Sequence, residues 1–213
     1  MKRSIMPIGV TLAILGFYGP WVTSSRNVAA LTYNALDLTE FSKFIVRAHG
    51  GTMTREMFLI PLVAAALTLA LWTSQPNRPS RVLRYTLTLA AAVFTLVPLP
   101  PYLPGMSPLS FLSLVAYRSD GAENRGSFWL SVAGLLGVVL IFVWGRRVVG
   151  RWRSIAYVAL ALIGAVPAAL EFFTHALPAI STVYGSPASP AWGFFAAMIG
   201  FALVLAGSAM RDV

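Results

Sequence analysis

Six apolar runs, residues 4–22, 57–72, 85–97, 127–144, 154–172 and 191–209, alternate with polar connections along this chain. Most approach the roughly 20 residues that a helix needs to cross bilayer hydrocarbon at 1.5 Å per residue. The pattern predicts an all-α integral membrane protein of about six transmembrane helices arranged as three hairpins. Residues 1–77, 78–150 and 151–213 form the hairpins of a single transmembrane domain. The first run follows Lys2-Arg3 in the manner of a signal peptide. It ends in Gly19-Pro20-Trp21, not in a small-x-small cleavage site, and reads as a retained span.

One polar connection carries its own period. Leu38, Phe41, Phe44, Ile45 and Ala48 recur at helical spacing, with Asp37, Glu40, Lys43 and Arg47 on the other face. A short amphipathic helix over about residues 36–48 is predicted on the outer face, with Asn34 as its N-cap and Gly50-Gly51 as its stop. Pro98, Pro100, Pro101 and Pro104 end the third run near Val97. Residues 108–117 are apolar but too few to span, which predicts a re-entrant or interfacial piece. Tyr184-Gly185-Ser186-Pro187 reads as a turn within the polar connection between the last two runs.

Composition agrees with lipid as the solvent. Of 213 residues, 57% are hydrophobic and 11% charged, against roughly 25% charged in a soluble domain. Cysteine is absent, so disulfides, thiolate metal sites and a cysteine nucleophile are excluded. The net charge of +9 lies in short clusters between the runs. No continuous basic face or aromatic platform for a phosphate chain is formed, so nucleic acid is not an expected partner. The charge reads as topological. Placing both termini and the connections 73–84 and 145–153 on one side gives that side ten basic residues and the single acid Asp212. The other side holds six basic and six acidic residues. Basic flanks stay cytoplasmic, so a bacterial-type inner membrane with both termini inside is expected.

The second and third hairpins share landmarks. Arg84 to Pro98 and Arg153 to Pro167 have equal spacing, as do Trp129 to Gly137 and Trp192 to Gly200. A duplication would produce this; so can coincidence in apolar sequence.

Small residues mark where helices approach in lipid, because burial from water gives no drive there. Gly193, Ala197 and Gly200 provide such a face on the last run, Gly134 and Gly137 on the fourth, and Gly164 on the fifth. Packing within the bundle is the simpler reading, and packing on another subunit the alternative. Trp21, Phe41, Phe44, Trp129 and Trp192 are assigned to interfacial positions at headgroup depth.

Ligand or proton-handling chemistry has three candidates, Glu171, His175 and Asp37. Glu171 sits at the outer end of the fifth run, and His175 lies one helical turn on, so the two can share a face. The plainer reading is an interfacial ion pair, with Asp37 on the solvated side of the amphipathic helix. No span carries a mid-membrane histidine for a haem or chlorophyll, and the scattered acids do not form a metal set. The cofactor is left unknown, with lipid, quinone or carotenoid contact along the aromatic residues as options. Phosphate-loop, H-E-x-x-H and G-x-S-x-G motifs are absent. The expectation is a non-catalytic integral subunit of a larger membrane complex, with lipids and other membrane subunits as partners. A small-solute transporter, or its substrate-binding membrane component, is the alternative. An outer-face enzyme using Glu171 and His175 ranks third.

Overall fold

A computed structural model describes residues 5–24, 32–49, 53–75, 80–98, 122–148 and 150–209. Residues 108–117, Gly50-Gly51 and both chain ends lie outside the described residues. The apolar runs fold as α1 (Ile5–Tyr18), α3 (Ile60–Thr73), α4 (Arg81–Leu96), α5 (Ala122–Trp144), α6 (Arg151–Glu171) and α8 (Trp192–Ala209). The predicted surface helix is α2 (Ala35–His49), and a further helix, α7 (Leu177–Tyr184), precedes α8. The molecule is mostly helical. Among the described residues, three stretches are long and apolar enough to cross a membrane: Arg125–Trp144, Arg151–Tyr184 and Trp192–Ala209. This defines the class as a helical membrane protein. The sixfold count of full-length spans is not reached among the described residues. The apolar helices α1 and α3 have 14 residues each, about 21 Å at 1.5 Å per residue, against a hydrocarbon core of about 30 Å.

The six helices nevertheless alternate in direction. Arg153 on α6 reaches Gly145 at the end of α5, while Glu171 at the far end of α6 reaches Thr54 ahead of α3. Gly9 lies against Gly200 and Gly16 against Ala197, so α1 and α8 are antiparallel. The start of α1, the end of α8 and the α3–α4 and α5–α6 connections therefore share one end. Arg81, Arg84, Arg146, Arg147, Arg151 and Arg153 all belong to it, and we call it the basic end. The opposite end carries a folded cap.

The cap contains structure that the hydrophobic pattern does not reveal. Three short strands, β1 (Val22–Ser24), β2 (Thr32–Tyr33) and β3 (Ala188–Pro190), form an antiparallel sheet in the order β2-β1-β3. Val22 pairs with Tyr33 on one side and Pro190 on the other, which ties the first hairpin to the last. The amphipathic α2 buries Leu38, Phe41 and Ile45 beneath itself. Asn34 caps it as expected: its Oδ1 accepts from Asp37 N–H at 2.9 Å, and Asp37 Oδ2 accepts from Asn34 N–H at 3.0 Å. This is the reciprocal capping arrangement, with Asp in the place of Glu.

The connection expected after residue 172 is instead helical. α6 runs through a π turn, Phe172–Ala176, into α7, giving 34 residues from Arg151 to Tyr184. At about 51 Å it is too long for the hydrocarbon alone, and its last third rises into the cap. Pro167 and Pro178 bracket the π turn. Pro178 lacks an N–H and crowds the carbonyl of Thr174 four residues back, inside the turn, and the wider turn relieves that crowding; Pro167 lies within regular α-helix. Gly185, with φ of 59°, ends α7 in the left-handed conformation that glycine adopts without strain.

Candidate functional site

Glu171 stands where α6 enters the π turn, 8% exposed. Its Oε1 accepts a short hydrogen bond from the backbone N–H of Thr54. Its Oε2 lies 3.2 Å from Nδ1 of His175, which also meets Thr174 Oγ1 at 2.9 Å. The helical spacing in the sequence therefore brings the two together. The carboxylate links the segment leading into α3 to the long helix, and its partner Thr54 carries no sequence signal because the donor is backbone.

Removing this acceptor leaves a partly buried N–H unsatisfied. Glu171→Ala is expected to cost about 1–3 kcal/mol, and Glu171→Gln, which keeps a carbonyl oxygen for Thr54, under about 1 kcal/mol. Thermal unfolding in detergent reads the difference; equal losses would mean that charge, not the acceptor, holds the joint.

Asp37 is not part of this pair. Its carboxylate is committed to the α2 cap, as described above. Glu40 bonds Lys43 at 2.8 Å and Arg55 at 3.1 Å. Among the described residues no group of three or more histidines and carboxylates is placed to hold a metal ion.

A second polar contact joins Tyr33 on β2 to Tyr184 at the end of α7, their hydroxyls 2.5 Å apart. Burial pushes the Tyr33 phenol above its usual range, and the hydrogen bond and charge of Tyr184 and the charge of Asp37 push the same way. The folded state thus holds this proton more tightly than the unfolded chain does. Its stabilising contribution is complete below about pH 10, the unfolded value, and is lost as pH rises through the higher folded value. Tyr33→Phe is expected to flatten the alkaline limb of a stability–pH curve and leave the neutral region's slope unchanged.

The small-residue faces all lie at helix contacts. A β-carbon on Gly134 would meet Val63 and Thr95, on Gly137 Leu67, and on Gly164 the ring of Phe201. Gly193 lies against the backbone of Gly19 and Pro20, and Ala197 against Gly16. The complementary glycines Gly9 and Gly16, seven residues apart on α1, were equally visible in the sequence as a small-residue stripe and are the missing half of this seam.

The interfacial assignments divide. Phe44, Trp129 and Trp192 are exposed. Trp21 and Phe41 are buried, which corrects theirs. Trp21 is wholly enclosed by Phe58, Phe172 and Phe194, with its Nε1 donating to Gly16 O at 2.9 Å. The Gly19-Pro20 break turns the chain inward there, so the indole points under the cap instead of out to headgroups.

Comparison with protein-family models, with curated proteins and with solved structures returned no match. What this membrane protein does is therefore to be read from its own side chains.

Proposed function

We propose that the chain is a non-catalytic integral subunit of a larger membrane assembly, seated in a bacterial-type inner membrane with both termini cytoplasmic and the cap outside. The observation that carries this reading is how the cap uses its reactive groups. Glu171 fixes Thr54 and His175, Asp37 closes the α2 cap, and Glu40 holds Lys43 and Arg55. Each candidate for chemistry is thereby committed to holding a rigid platform. That platform presents the polar side of α2, with exposed Phe44, Tyr184 and Trp192 also at the cap end. Such a mixed surface of aromatic and charged residues suits a protein partner. The orientation is supported by the arginines gathered at the basic end.

Lys2 and Lys43 are the only lysines in the chain, so an amine-reactive cross-linker reports the cap through Lys43. The native protein, purified in mild detergent after cross-linking in the membrane, is expected to carry one stoichiometric polypeptide joined at Lys43. A lone monomer, uncross-linked at Lys43 and binding a small solute, overturns the reading and puts the transporter in its place.

A further inference from the structure

We propose that the basic end holds a binding site for the phosphate group of an anionic phospholipid, lined by Arg81, Arg84, Tyr85 and Arg146. Among the described residues, these four line an open cavity of about 240 Å³ between the start of α4 and the end of α5.

Electrostatics argue that an anion belongs there. Arg81 and Arg84 stand three apart in the first turn of α4, where like charges repel and where the helix dipole already disfavours cations. Arg146 adds a third positive charge across the cavity. The end of α5 offsets only roughly half a charge through its free carbonyls. One of these, Phe142 O, accepts from an Arg84 Nη at 3.1 Å, with the guanidinium 4.9 Å from the Phe142 ring centre. The described carboxylates Asp37, Glu40, Glu56 and Glu171 all belong to the cap end. Arg84 keeps a second donor: its Nε is shielded from solvent and has no hydrogen-bond partner among the described residues. An acceptor reaches that donor only when the guanidinium turns toward the cavity, whereas a phosphate group seated there neutralises all three of the arginines that line it.

Lipid is favoured over free phosphate by what adjoins the cavity. Val82 and Leu89 on α4 and Val139 and Val143 on α5 are at least half exposed, running from the arginines toward mid-bundle. An acyl chain covers that surface while its headgroup occupies the cavity, and Tyr85, also exposed, sits between them as aromatic residues do at the headgroup boundary. Basic pockets between helices recognise anionic headgroups by this combination.

The test uses the full chain in mild detergent, with native mass spectrometry counting retained phosphatidylglycerol or phosphatidylcholine. The wild-type protein is expected to retain phosphatidylglycerol preferentially. The double variant Arg81→Gln/Arg146→Gln, which spares the Arg84 contact to Phe142, should lose about fivefold in that preference per charge removed, about 25-fold in all. Arg147→Gln, an exposed neighbour that does not line the cavity, should retain it. Equal retention of the two lipids by the wild type overturns the proposal, as does an undiminished preference in the double variant with its melting temperature unchanged. Displacement of phosphatidylglycerol by millimolar inorganic phosphate also overturns it, because the ligand would then come from water.

Discussion

Gly200→Leu is expected to separate α1 from α8 and to cost more stability than any substitution at Glu171. A β-carbon at Gly200 would stand 2.5 Å from Ala13 N and 2.6 Å from Gly9 O. Both are backbone atoms of α1, so no side-chain rotation makes room, and the helices must move apart. Overpacking with flexible neighbours costs about 1–3 kcal/mol; Gly200→Ala already falls in that range here, and leucine goes beyond it. The loss spreads because the seam is continuous. Gly16 packs on Ala197 and Gly193 on Gly19-Pro20, and in lipid such close contact is itself the source of association. Glu171→Ala removes one acceptor and leaves every helix seated. Unfolding in a mixed detergent series should rank Gly200→Leu below Gly200→Ala and both below wild type. Stability equal to that of Glu171→Ala would show that α1 and α8 do not meet through these glycines.

The parts of this fold that the sequence displays are those governed by periodicity or by size. Six apolar runs became six helices alternating in direction, α2 falls within one residue of its predicted bounds, and Asn34 caps it. The glycine faces lie where small side chains permit contact, and the i, i+4 spacing of Glu171 and His175 brings them together. What the pattern hides depends on long-range backbone pairing. Strands of two or three residues, such as Thr32–Tyr33, are too short for an alternation to register, and the pairing of Val22–Ser24 with Ala188–Pro190 cannot be seen locally. The helical run past Glu171 was hidden by its composition. Thr174, His175 and Ser181 read as a polar loop, but each of the two hydroxyl residues satisfies itself on a carbonyl four back, Leu170 or Leu177. Trp21 was misplaced because an aromatic residue after a helix-ending Gly-Pro fits a headgroup belt equally well; only the sheet pairing of Val22 decides that the ring turns inward.

That buried indole gives the second large effect. Trp21→Ala is expected to cost about 3–5 kcal/mol, the range for deleting a large aromatic side chain from a packed core. Unlike the mid-bundle contacts around Tyr157, Ala161 and Phe201, the cluster around Trp21 extends under the cap to Leu38, Phe41, Met53 and Ile180. On that side the alternative to burial is water, so the hydrophobic effect adds to close packing. The ring also has three edge-to-face neighbours, Phe58 at 6.2 Å, Phe172 at 5.8 Å and Phe194 at 5.4 Å, each pair contributing about 0.5–1.5 kcal/mol beyond area burial. Trp21→Phe keeps most of this volume and loses the bond to Gly16 O, which predicts a smaller loss of about 1 kcal/mol. Because Phe172 opens the π turn, the void left by alanine should also loosen the Glu171–Thr54 joint. Hydrogen exchange at the Thr54 amide should then rise together with the drop in melting temperature. An alanine variant as stable as wild type, with Thr54 equally protected, would return Trp21 to the headgroup belt and leave the cap held by its sheet alone.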